Sequence, residues 1–290
     1  MELRIENRIE NIEDKIFGAI YGFAIGDAMG ATTEFMHANQ IKKEFGQVTD
    51  IIGGGWLNLK PGEVTDDTQM TICIMAALIG KSTDEDFTNL CVRNFIKWYK
   101  SKPKDIGNQC RKGIEYYLKA ERCTLINDKF IPEDEDAQGN GSLMRAMPCA
   151  LLNESSLNVM QGWLTHNNLE CTMAILEYTK LIQSLMHSNE YSTAVTKLMA
   201  PTGHVKNTLN NAIYWSMKPT FEEAIIGAVN DGGDADTIAA IAGSLAGVRF
   251  GYKAIPEKWI DKLDSNVKRQ LKVFGNFAVY VEICKQKKIL

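Results

Sequence analysis

Apolar residues recur at helical spacing through most of the chain, the period of an element that turns one face to a core. The pattern predicts helices near Ile12 to Ala28, Thr68 to Ile79, Asp86 to Lys100, Leu143 to Leu152 and Leu169 to His187. Four more are expected near Val205 to Trp215, Phe221 to Val229, Asp236 to Phe250 and Asn266 to Lys285. Only short stretches such as Val48 to Ile52 have the look of a strand. The breaks hold Gly53-Gly54-Gly55, Pro61-Gly62, Gly139-Asn140-Gly141 and Gly232-Gly233, the punctuation of loops. With no internal repeat, low-complexity tract or linker, one all-α domain spanning 1–290 is the economical expectation.

Composition narrows the function classes. With 290 residues, 45% of them apolar, the chain can bury one large core. The formal charge of −4 is spread over both halves, so no basic stripe is present to release counterions from nucleic acid. Met1 to Lys15 is dense in Glu, Arg and Lys and lacks the apolar stretch of a signal peptide. No apolar run approaches the roughly 18 residues that a membrane span requires. The expectation is a cytoplasmic monomer that binds neither nucleic acid nor membrane. Seven cysteines (Cys73, Cys91, Cys110, Cys123, Cys149, Cys171, Cys284) form no C-x-x-C pair and read as reduced, mostly core residues. The four histidines have no zinc-ligand spacing, so any metal here must be held by oxygen.

Oxygen ligands are concentrated at two helix entrances. The first, Pro61-Gly62-Glu63-Val64-Thr65-Asp66-Asp67-Thr68, is a turn running straight into an apolar helix. Successive helical side chains point about 100° apart, so Asp66 and Asp67 suit two neighbouring ions better than one. Taken alone, the cluster reads first as helix capping. The second, Asn230-Asp231-Gly232-Gly233-Asp234-Ala235-Asp236-Thr237, leads into the apolar run Ile238 to Ala242. Asp234 and Asp236 converge only if Asp234 is still in the glycine loop and Asp236 is in the first turn. Carboxylates and hydroxyls without His or Cys favour Mg²⁺ or Mn²⁺. A cation would also offset the repulsion among four gathered aspartates.

These clusters belong to a longer series that resembles the ADP-ribosylglycohydrolases, in particular the branch of the dinitrogenase-reductase-activating glycohydrolase and the ADP-ribosylarginine hydrolases. The motifs appear in order from about Ile16 to Phe250. They are Gly26-Asp27-Ala28-Met29-Gly30-Ala31-Thr32-Thr33-Glu34-Phe35, Thr65-Asp66-Asp67-Thr68, Asp105-Ile106-Gly107-Asn108, Gly139-Asn140-Gly141-Ser142-Leu143-Met144-Arg145, Thr165-His166 and Gly232-Gly233-Asp234-Ala235-Asp236-Thr237. The resemblance implies an all-α fold with a dinuclear Mg²⁺ or Mn²⁺ site between helices, liganded by Thr65, Asp66, Asp67, Asp234, Asp236 and Thr237. It departs at Ala235, where the family commonly has Thr, and at His204, where many relatives place a tyrosine against the adenine.

The same resemblance assigns further roles. Glu34 is implied at the metals as a movable ligand or a contact to the catalytic water, and Glu34 or Asp67 as the base. Asp27, at a helix end, reads as a site residue or a local backbone contact. Gly139, Asn140, Gly141 and Ser142, ahead of a helix, suit the pyrophosphate. Arg145 is read as pairing with the ligand or with the acidic loop Glu133 to Asp136. His166 is implied against ADP-ribose, with a structural histidine as the alternative. His204 stands as an adenine contact or a plain loop residue. Asp105 and Asn108 would face an arginine leaving group, unless Asp105 merely caps a helix starting near Ile106.

The activity so implied is release of ADP-ribose from a modified protein, most directly from arginine. Removal from serine, a two-metal phosphoester or pyrophosphate hydrolase, and a non-catalytic ADP-ribose-binding protein of the same fold are the competing readings.

Overall fold

The computed structural model describes residues 2–122, 130–191, 193 and 195–286, and Cys123 lies outside them. The helices are α1 (Glu2–Gly30), α2 (Ala38–Phe45), α3 (Asp66–Gly80), α4 (Asp84–Lys100), α5 (Asn108–Arg122), α6 (Met147–Leu151) and α7 (Ser155–Trp163). They continue with α8 (Leu169–Ser188), α9 (Val205–Ser216), α10 (Phe221–Asp231), α11 (Ala235–Phe250), α12 (Glu257–Lys262) and α13 (Ser265–Gln286). Short 3-10 turns lie at Asn140–Ser142 and Tyr252–Ala254.

α11 sits at the centre. Every residue from Ala235 to Val248 is buried, so this helix is enclosed on all sides, as a core helix must be. α1 runs antiparallel along it, and the two approach through glycines spaced four apart. A Cβ at Gly22 would stand 2.2 Å from the Gly243 carbonyl oxygen, and one at Gly26 would stand 2.0 Å from that of Ala239. Only missing side chains allow two helix backbones this close. α8, α9 and α10 pack on α11, while α13 packs on α1 and α3. α4 covers α3 and in turn touches α5 and α7. The six described cysteines are free, and all but the half-buried Cys73 are buried.

The all-α expectation holds: among the described residues there is no strand, only isolated bridges such as His37 to Gly232. Val48, in the strand-like stretch, instead has its N–H and C=O bonded to the side chain of Asn230 at 2.9 and 2.8 Å. The helix expected over Leu143 to Leu152 is shorter than its pattern suggested, starting only at Met147. Pro148 brings no N–H to the Met144 carbonyl, which accepts the Thr71 hydroxyl at 3.1 Å instead. α2, α7 and α12 were not foreseen, and the helix considered near Ile106 is α5, starting at Asn108. α2 buries a single side chain, Ile41, too little to leave a period. No helix among the described residues is long and apolar enough to cross a membrane.

Candidate metal centre and active site

Three chain segments meet where α1 ends and α11 begins. On the first, Asp27 is wholly buried near the end of α1, and its carboxylate accepts the N–H groups of Thr65 and Thr68, both at 3.0 Å. The Thr68 hydroxyl donates to it as well. Asp27 is therefore no local contact: it bolts α1 to the first turn of α3. On the second, Thr65 caps α3 by accepting from the Asp67 N–H at 3.2 Å, as the capping reading required. Capping uses Thr65 and leaves the two aspartates to turn inward. Asp66 accepts the Gly107 N–H at 3.3 Å, and Asp67 reaches the Thr237 hydroxyl of α11.

The third segment is the glycine loop ahead of α11. Gly233 has φ +64°, and a Cβ there would strike the Pro201 carbonyl oxygen, so the tight turn needs glycine. Asp234 is the residue just before the helix and Asp236 lies in its first turn. The Phe35 N–H donates to the Gly233 carbonyl at 2.6 Å and the Gly233 N–H to that of Met36 at 2.8 Å. That pairing brings Glu34 over the cluster. Carboxylate oxygens of Glu34, Asp234 and Asp236 lie within 4.8 Å of one another.

The electrostatics of this gathering are severe. Burial first, then the Asp234, Asp105 and Asp66 charges, pushes Glu34 up to about 8 against the pull of its bond from the Trp56 indole. Burial and Asp105 likewise lift Asp66 to about 8. Asp234 is raised to about 6 by burial, partly offset by bonds from Asn140 and Thr237. Asp67 and Asp236, buried among the others, are held well above the usual carboxylate range. One oxygen of Asp67 and one of Asp236 are buried without a hydrogen-bond partner. Unpartnered buried carboxylate oxygens, crowded like charges and an all-oxygen donor set fit hard divalent cations.

The remaining motif residues divide. Asn140 donates to Asp234 and to the Thr208 hydroxyl, joining the Gly139–Ser142 turn to the acidic cluster. No helix end stands behind that turn, because α6 starts five residues after Ser142, so no helix dipole is aimed at a pyrophosphate there. The Asn140 N–H is also taken, by the Gly203 carbonyl at 2.9 Å. Arg145 does not pair with the loop from Glu133 to Asp136, and its guanidinium is not presented to a ligand. It is fully buried, bonded to Gln161, Gly141 and the Thr165 hydroxyl, and stacked over Phe95.

His166 is buried beside Gly139 and Gly141, with Nδ1 against the Thr165 hydroxyl at 2.8 Å. Burial, and then Arg145, lowers it to about 3, so the ring is neutral. His204 caps α9 through Nδ1 and turns Nε2 to Gln138. Asp105 does not cap α5, which begins at Asn108, two residues beyond the nearest position from which Asp105 could do so. Its charge is felt by Glu34, Asp66 and Asp234, which places it on the cluster's side of the molecule. Asn108 is exposed. Sequence reasoning missed Trp56, whose indole N–H donates to Glu34 Oε2 at 2.6 Å. Its only signal was the preceding Gly53-Gly54-Gly55.

The ADP-ribosylglycohydrolase family model matches residues 8–202 and 189–286. The chain belongs to the ADP-ribosylglycohydrolase family. Among its relatives, the ADP-ribosyl-[dinitrogen reductase] glycohydrolase of Rhodospirillum rubrum is 33% identical over 269 residues, covering 85% of this chain and 89% of that one. The ADP-ribosylarginine hydrolase Tri1 of Serratia proteamaculans (strain 568) is 31% identical over 276 residues, covering 82% and 72%. A solved ADP-ribosylglycohydrolase-related protein complex superposes with a TM-score of 0.74 at 26% identity, covering 93% of this chain and 98% of that one. The resemblance read from the motifs is thus correct as to family and branch.

Proposed function

We propose that this ADP-ribosylglycohydrolase releases ADP-ribose from arginine side chains of modified proteins. The observation that carries the reading is the convergence of Glu34, Asp234 and Asp236 within 4.8 Å, with Asp67 beside them and Asp105 close enough to raise Glu34 and Asp66. The relatives named for ADP-ribosylarginine hydrolysis and for ADP-ribosyl-[dinitrogen reductase] support the choice of bond.

In this reading Thr65, Asp66, Asp67, Asp234, Asp236 and Thr237 hold two cations of the Mg²⁺ or Mn²⁺ kind. When bound, these supply Lewis acidity at the distal ribose and at the attacking water. Glu34 or Asp67 takes the water's proton as the anomeric carbon gains oxocarbenium character and the bond to the guanidine nitrogen breaks, and that proton is then returned to the departing guanidine, which leaves as guanidinium. Asp105 offers the leaving guanidinium a charge-assisted hydrogen bond. ADP-ribose is assigned to the side of the cluster bordered by the Gly139–Ser142 turn, which Asn140 ties to Asp234, with neutral His166 behind the turn.

The test is to offer ADP-ribosyl-arginine and ADP-ribosyl-serine peptides with Mg²⁺, Mn²⁺ or chelator and to identify the products. Intact ADP-ribose, released from the arginine peptide and only with a divalent ion, is the expected result. A preference for serine would overturn the bond assignment, and AMP as product would turn the site into a phosphohydrolase.

A further inference from the structure

We infer that Trp56, with Phe35, forms an aromatic lip that receives the guanidinium and aliphatic stem of the modified arginine; this rests on the arginine reading above. Both rings are large, apolar and open to solvent, Phe35 being 66% and Trp56 53% exposed. They lie 5.4 Å apart, tilted at 48°. Neither is placed there by core packing.

The backbone is built to hold them out. Phe35 itself has φ +62°, a conformation that a bulky residue adopts only when its surroundings impose it. Here the bond from its N–H to the Gly233 carbonyl imposes it. Trp56 tops a turn closed by the Gly54–Leu59 bridge. Gly55, at φ +65°, lies so close to α1 that a Cβ would meet the Ala31 carbonyl oxygen at 2.0 Å. The Thr32 hydroxyl ties down Gly53 from the same side, at 3.0 Å. The indole is then anchored by its N–H on Glu34, one residue from Phe35.

An exposed indole fixed beside Glu34, on the side of the molecule where Asp105 lies, is suited to a planar cation. Its π-face attracts a guanidinium, Asp105 supplies opposite charge, and the stem of the side chain lies against apolar ring surface. A serine linkage brings neither cation nor stem. The lip therefore selects the linkage and leaves ADP-ribose recognition to the rest of the site.

Trp56→Ala and Trp56→Phe separate the ring from its anchor. In Trp56→Ala, KM for an ADP-ribosyl-arginine peptide should rise about three- to thirtyfold, the worth of a cation–π contact. Free ADP-ribose affinity by calorimetry, and KM for the serine peptide, should stay put. Trp56→Phe should recover most of the KM, while kcat changes alike in the two variants, since both lose the N–H that holds Glu34. An arm without turnover uses agmatine as a bare guanidinium: it should alter the indole emission of the wild type and leave that of Trp56→Phe unchanged. Unmoved KM in Trp56→Ala, a parallel loss of ADP-ribose affinity, or the same agmatine response in Trp56→Phe would each overturn the lip. Failure of the wild type to cleave the arginine peptide would overturn the function proposed above, and the agmatine arm would still decide the lip.

Discussion

Asp67 and Asp236 each keep one buried oxygen unpartnered, so removing one charge should help the metal-free protein and harm the loaded one. Asp67→Asn should raise Tm in chelator, by about 2–4 °C for each kcal/mol of repulsion relieved, and should abolish the rise in Tm expected of the wild type with Mg²⁺ or Mn²⁺. A lower Tm in chelator would show that Asp67 serves the fold. The raised carboxyls also set a pH dependence. A carboxyl with a folded pKa above its unfolded one binds protons more tightly in the native state, and that advantage disappears as pH rises. With Glu34 and Asp66 near 8, Tm in chelator should fall between about pH 7 and about pH 9, above the range where His166 titrates in the unfolded chain. The stabilisation by added ion should grow over the same interval, and a flat profile would contradict the shifts. For Asp105→Ala, kcat/KM on ADP-ribosyl-arginine should drop about 10- to 100-fold, the worth of a hydrogen bond to a charged group, with ADP-ribose affinity held. Most of these acids were legible in the sequence, because paired carboxylates at glycine-marked helix entrances are local patterns. The fate of Arg145 was not, since only the fold brings Gln161 and Thr165 around it.

At the level of elements, the sequence carried a signal that was overlooked. Gly18, Gly22, Gly26 and Gly30 repeat every fourth residue, and Gly243 and Gly247 answer them across the contact. Such a stripe marks one helix face, and its reading requires knowing which partner helix lies opposite. Hydrophobic periodicity found the long core helices for the complementary reason, that each buries many side chains. It missed α2 and misjudged α6, where one buried residue or one proline decides the outcome. The glycine contact is also what aligns the two acidic helix ends. Gly22→Ala would press a methyl group into the Gly243 carbonyl, and overpacking of this kind costs about 1–3 kcal/mol or more when backbone must yield. The variant should melt lower and bind ion more weakly, although no carboxylate has been touched. Gly80→Ala, where the nearest atom is a Leu90 methyl at 3.4 Å, is the control and should change little. Equal effects in both would mean that the stripe is ordinary helix surface.

On the scale of the whole molecule, the site is assembled from segments far apart in the sequence, with Gly26 seated on Ala239 and Asp27 holding the first turn of α3. Native contacts of such long sequence separation form late, because the loop between them must first be closed. This bears on how the protein is made. A ribosome adds about 5–20 residues per second, so α1 waits on the order of ten to forty seconds for α11 to be synthesised. Through that interval Asp66 and Asp67 have no Asp234 or Asp236 to complete a cation site. Chains truncated before Asp234 and released from the ribosome should therefore leave the Mn²⁺ resonance spectrum that of the free ion, whereas chains that extend past Phe250 should capture it. Capture by the shorter chains would show that one entrance suffices. If both entrances are required, a copy that stops short of α11 cannot complete the proposed cation site.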